Sequence, residues 1–150
     1  MWRVAIGWPA LAGGVAVVDL ATKKLAEERL REPVDLAPGL QLDLGFNSGV
    51  AFGALDGVPT AGLIVGLTAL IAALVLSWWR GWISPPWPAA ALLLGGAVGN
   101  LIDRVADGRV TDFIDPVRWP AFNVADIAIT LGVAVLVVLS LREDRSPAPA

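Results

Sequence analysis

The chain has 150 residues, of which 56% are hydrophobic and only 17% charged, against about a quarter charged in an ordinary soluble domain. Its net charge of -3 offers no basic surface for nucleic acid, and its length suits one domain. There is no Cys and no His, which excludes disulfides, thiol nucleophiles, Ser-His-Asp triads and the usual His/Cys zinc sites. Any acid–base chemistry must come from carboxylates, Lys or Arg.

A membrane span needs about 20 mostly apolar residues. The first candidate covers about 4–25, with Asp19 and Lys23 in its last turns. Arg3 and the small residues near Gly14 give this start some look of a signal peptide, but the apolar stretch runs on to Asp19 and Lys23, so it is read as a retained span. The long connection that follows contains Leu40, Leu42, Leu44 and Phe46 alternating with Gln41, Asp43 and Asn47. That period of two predicts a strand with one greasy face, too short to cross a bilayer and suited to its surface or to roofing a cavity.

The second span, about 58–79, is free of charge, and the third follows the short turn Arg80-Gly81 at about 82–102. Pro85, Pro86 and Pro88 fall in its first turns, where missing backbone donors cost least. Gly95 and Gly99 form a small-xxx-small pair that lets another helix approach closely. The fourth span covers about 123–141, and 142–150 reads as a disordered tail. Four spans put both chain ends on one side and both long connections on the other. Arg3, Arg80, Arg142 and Arg145 are concentrated in short end segments, whereas the other seven basic residues are spread over long connections. The density of positive charge therefore predicts cytoplasmic termini. Trp78, Trp79, Trp82 and Trp87 cluster around the short turn as an interfacial belt would.

Ionisable residues at membrane depth are costly and need a reason. Asp19 and Lys23, spaced i, i+4, form an intrahelical ion pair in one reading, while in the other Lys23 also holds a polar group of a neighbouring element. Asn100, Asp103 and Arg104 converge on one end of the third span. Asn123 is a good N-cap for the fourth helix, with Asp126 at N3. Asp126 alone reads as a cap, but Asp112 lies in the loop feeding the same helix. Two carboxylates sharing a site retain one proton near neutral pH, so one can accept a proton from water while the other donates to the substrate. The helix N-terminus points to Asp126 as initial base and Asp112 as acid.

Five segments together resemble lipoprotein signal peptidase, or signal peptidase II, a family of bacterial inner-membrane aspartic peptidases. They are Asp19-Leu20-Ala21-Thr22-Lys23, Asn47-Ser48-Gly49-Val50-Ala51-Phe52, Gly99-Asn100-Leu101-Ile102-Asp103-Arg104, Val110-Thr111-Asp112-Phe113 and Phe122-Asn123-Val124-Ala125-Asp126. The resemblance implies an all-α membrane protein of four transmembrane helices with a small extracytoplasmic β-sheet, the substrate cradle, between helices 1 and 2. It implies removal of signal peptides from prolipoproteins before a diacylglyceryl-modified cysteine, with Asp112 and Asp126 as the catalytic pair. Asn47, Gly49, Asn100, Arg104 and Asn123 match polar positions around the substrate, and Asp19 and Lys23 match supporting ones. No metal or cofactor is expected. The partners are prolipoproteins and membrane lipids, with the chain a monomer, both termini cytoplasmic and the site facing out. The rival readings are a small proton- or ion-coupled transporter and a non-catalytic membrane scaffold. A relay would need ionisable groups throughout the depth, yet the middle of the second and third spans is bare.

Overall fold

A computed structural model describes residues 2–48, 60–81 and 86–143. Its elements in chain order are α1 (Trp2–Arg29), β1 (Val34–Ala37), β2 (Leu40–Asn47), α2 (Thr60–Trp79), α3 (Trp87–Asp107), β3 (Val110–Asp115) and α4 (Val124–Glu143). Among the described residues, four helices and an antiparallel sheet in the order β1-β2-β3 make up the fold. The fourth helix begins where expected, but other bounds differ. Helix α3 starts at Trp87 instead of about 82, with Pro88 in its opening turn, because the prolines are compatible only with that turn. It then runs on to Asp107, so Asp103 and Arg104 lie inside it, and Gly108 (φ 71°) ends it by donating its N–H to the Arg104 carbonyl. Helix α1 extends past 25 to Arg29, and α4 takes in Arg142 and Glu143; the rest of the expected tail lies outside the described residues.

Helix α3 is the centre of the bundle, packed against both α1 and α4, with α2 on another side. Its small residues explain the closeness. A methyl group at Gly95 would sit 2.6 Å from the Ala12 carbonyl oxygen of α1, and one at Gly99 would sit 2.5 Å from Asp19 Oδ2. This is the close approach expected of the Gly95/Gly99 pair. Gly96, one step round the helix, does the same toward α4: a methyl there would lie 2.5 Å from the Ala125 carbonyl oxygen and 2.8 Å from Ile129 Cγ1. Gly96→Ala is therefore expected to push α3 and α4 apart, costing about 1–3 kcal/mol. A lower unfolding temperature in detergent would register it, and an unchanged one would contradict the packing.

The distribution of side chains is the reverse of a soluble core. The buried apolar residues are mostly alanines at helix seams (Ala16, Ala89, Ala90, Ala91, Ala125, Ala128), whereas Asp19, Lys23, Asn100, Arg104, Asp112 and Asn123 are also buried. Large apolar side chains point outward along α2 (Val65, Leu70, Leu74) and α4 (Leu131, Val133, Val137). Small residues inside and large apolar ones outside are what helices packing in lipid require. Among the described residues α3 alone is long and apolar enough to cross a membrane by itself; Ile64–Trp79 and Val124–Leu139 are shorter apolar stretches. At one end of the bundle Trp78 packs on Trp8 (ring centroids 4.8 Å apart) and Trp79 is exposed, while Trp82 lies outside the described residues.

The sheet occupies the other end. Its third strand was not expected: Val110–Asp115, from the connection between α3 and α4, pairs with β2. The sheet is thus not confined to the segment between helices 1 and 2. Between β2 and β3 the register also slips once. Leu42 faces Ile114, but Gly45 faces Asp112, so β2 carries one extra residue between those pairs. Such a bulge interrupts the alternation, which is why β2 does not present one uniformly greasy face. Before the bulge Gln41 shares a face with Asp115, and the two are hydrogen-bonded at 2.8 Å. After it, Gly45 and Asn47 share the face of Asp112. Without the extra residue, Asn47 would stand on the opposite side of the sheet.

Candidate active site

The site lies where the N-terminus of α4, the C-terminal turns of α1 and α3, and β3 meet. Asn123 caps α4: its Oδ1 accepts the Asp126 N–H at 3.0 Å, and Asp126 Oδ2 accepts the Asn123 N–H at 3.3 Å. This reciprocal pair is a capping box with Asp in the N3 position. Asn123 is fully buried, and its Nδ2 also donates to Asp112 Oδ1 (2.7 Å), Asn100 Oδ1 (3.2 Å) and the Thr111 carbonyl (3.3 Å). One asparagine therefore touches both aspartates.

Asp112 is buried on β3, and its Oδ2 accepts a hydrogen bond from Asn47 Nδ2 at 3.2 Å. Burial raises its carboxyl to about 6, the nearby charge of Asp126 adds to the rise, and the hydrogen bonds from Asn47 and Asn123 oppose it. Asp126 Oδ1 accepts Asn100 Nδ2 at 2.9 Å. Arg104 is buried close by, donates to the Asn100 carbonyl at 3.3 Å, and has Asp126, Asp112 and Asp103 as its electrostatic partners. Two carboxylates, one bearing a proton more readily than an ordinary aspartate, thus stand among amide donors and one guanidinium.

Asp19 and Lys23 fulfil both readings open to them. They pair on α1 at 2.7 Å, and Lys23 also reaches α3, meeting Asp103 Oδ2 at 2.9 Å and Asn100 Oδ1 at 2.9 Å. The second oxygen of Asp19 accepts the Ala125 N–H at 2.7 Å, capping a further amide at the start of α4. Of the residues matched by resemblance, Asn47, Asn100, Arg104, Asn123, Asp19 and Lys23 gather around Asp112 and Asp126; Gly49 lies outside the described residues. Two participants went unread in the sequence. Thr111 Oγ1 donates to Glu27 Oε1 at 2.6 Å, and the Thr111 N–H donates to Asp103 Oδ2 at 3.2 Å. The signal for Glu27 was present, since Asp19, Lys23 and Glu27 are spaced by four and line one face of α1. Among the described residues no three acidic side chains gather to hold a metal ion.

The family profile described as signal peptidase (SPase) II matches residues 11–142. A lipoprotein signal peptidase of Gloeobacter violaceus is 42% identical, over 95% of this chain and 87% of its own. One from Aquifex aeolicus is 37% identical, over 86% of this chain and 82% of its own. Among solved structures, a bacterial membrane enzyme determined by the in meso method at 2.3 Å superposes with a TM-score of 0.82 and 28% identity, covering 97% of this chain and 95% of that one. A second such enzyme, at 1.9 Å, gives 0.76 at 29% identity, covering 91% and 94%. A seam of small residues, an outward apolar surface and a carboxylate pair at one bundle end thus meet a match over nearly the whole length: the chain belongs to the signal peptidase II family of membrane peptidases.

Proposed function

We propose that this chain removes signal peptides from bacterial prolipoproteins, cutting before the diacylglyceryl-modified cysteine, with Asp112 and Asp126 as its catalytic pair. The observation that carries the reading is Asn123, whose buried side chain donates to the Asp112 carboxylate while its backbone N–H donates to that of Asp126. In this reading all four helices of a single domain cross the membrane and both termini are cytoplasmic. The sheet and the site then face outward. The grouping of the sheet, the polar cluster and the start of α4 at one end of the bundle supports that arrangement, as does the tryptophan contact at the other. Outward-facing apolar side chains support lipid as the surrounding partner, and nothing in the site calls for a second copy of the chain.

A lipid-anchored substrate stays at the bilayer while its hydrolysis needs water, and a pair at the membrane edge meets both. Asp126, charged at a helix N-terminus and supplied with donors by Asn100 and the Asn123 backbone, takes a proton from water. The water oxygen bonds to the scissile carbonyl carbon as Asp112 gives its proton to the carbonyl oxygen. Asp126 then passes its proton to the amide nitrogen, the C–N bond breaks, and Asp112 recovers a proton from the diol. Each carboxyl ends as it began.

The direction of Asp112's shift sets the pH dependence. Only its protonated form serves as acid, so kcat/KM is expected to fall as pH rises through an apparent value at or above about 6, lipid adding to the desolvation. A rate profile in lipid–detergent micelles checks this, and an alkaline limb near pH 4 would contradict it. The function itself is tested with purified protein and a prolipoprotein, with and without the diacylglyceryl group. The lipid-modified substrate alone is expected to lose the mass of its signal peptide. Ion flux in liposomes without cleavage would instead favour a transporter, a reading that the match to signal peptidase II does not support.

A further inference from the structure

Lys23 sits on α1, yet its three partners lie on paths leading to both aspartates. An ammonium has three N–H donors and no acceptor. That of Lys23 donates to Asn100 Oδ1 at 2.9 Å and forms ion pairs with Asp19 Oδ2 (2.7 Å) and Asp103 Oδ2 (2.9 Å). Lys23 is almost wholly buried, so no water competes for these positions.

The consequence for Asn100 is directional. Its oxygen receives Lys23 and Asn123 Nδ2, so its nitrogen must face the other way, and it meets Asp126 Oδ1 at 2.9 Å. Turned by half a rotation, the amide would set donor against ammonium and oxygen against carboxylate. Lys23 thereby decides that Asp126 meets a donor. The other path runs through Asp103. Its Oδ2 accepts Lys23 and also the N–H of Thr111, the residue before Asp112, and Glu27 one turn along α1 holds the Thr111 hydroxyl.

We propose that Lys23 is a positioning residue that sets both members of the pair, orienting the Asn100 amide toward Asp126 and anchoring β3 beside Asp112 through Asp103. The inference rests on the reading of Asp112 and Asp126 as the catalytic pair. A residue that merely neutralised buried carboxylates would have no reason to govern the amide. Cleavage of a diacylglyceryl-modified prolipoprotein by the full chain distinguishes the two.

Lys23→Met and Asn100→Leu are each expected to lower kcat about 10- to 100-fold with KM within about twofold, since the Lys23 ammonium and the Asn100 amide are both engaged by protein groups. The double variant is expected to be no slower than the slower single one, because two links of one path are not additive. Lys23→Met leaves two carboxylates unpaired and is the variant at risk of not folding; Asn100→Leu keeps Lys23 paired with both and then decides alone. A folded Asn100→Leu protein with wild-type kcat would overturn the inference, as would losses that simply multiply in a folded double variant. If Asp112→Asn and Asp126→Asn are inactive while Asn100→Leu is normal, only the role of Lys23 falls. If either aspartate variant cleaves normally, the catalytic pair itself falls.

Discussion

Replacing Asp112 or Asp126 by Asn is expected to lower kcat for prolipoprotein cleavage by about 10²- to 10⁴-fold, the range that one positioned acid or base contributes. Asn keeps the size and most of the hydrogen bonding. At position 126 its oxygen still accepts from the Asn123 N–H, so the cap of α4 survives. At position 112 it still accepts from Asn123 Nδ2. What each substitution removes is the ability to take or give a proton. Because the two act on one proton inventory, the double variant is expected to be scarcely slower than either single one. Initial rates from intact-mass measurement, with helical content checked by circular dichroism, would record this. Near-normal turnover in either folded variant would end the assignment.

Asn123→Ala is expected to damage stability and rate together. The cap contributes about 1 kcal/mol, and the buried Asp112 and Thr111 oxygens that lose their donor raise the total to about 2–4 kcal/mol. The Asn123 hydrogen bond also lowers the Asp112 carboxyl, so its loss moves the alkaline limb of kcat/KM to higher pH while the maximum falls. Asn123→Ser separates the two effects. Serine restores the cap but cannot reach across to Asp112, so the unfolding temperature should recover in part and the rate should not. Recovery of both would mean that Asn123 serves the helix alone.

Much of this site was legible because the chain is so apolar. Each of Asp19, Lys23, Asn100, Arg104, Asp112, Asn123 and Asp126 stands out against its neighbours, and the caps of α4 follow from local rules. The strand carrying Asp112 was not legible. It is six residues long, its burial is nearly continuous instead of alternating, and its partner β2 lies more than sixty residues earlier. The bulge in β2 was equally hidden, although it turns Asn47 onto the Asp112 face, since a one-residue register slip leaves no mark in a strictly alternating sequence. Contacts such as Asp19 with the Ala125 amide, 106 positions apart, are products of helix packing that the glycines of α3 permit. Gly96 was passed over because the small-xxx-small pattern picks out one helix face, and α3 has two.

The mechanism depends on the pair holding one proton, carried by Asp112. Infrared titration of the carboxyl stretch in the free enzyme measures that directly. At pH 5, about one unit below the value at which Asp112 titrates, the wild-type protein should show a buried protonated carboxyl band. That band should vanish in Asp112→Asn and persist in Asp126→Asn, there titrating at lower pH because the neighbouring charge that raised it is gone. A band that survives in Asp112→Asn and disappears in Asp126→Asn would contradict the account.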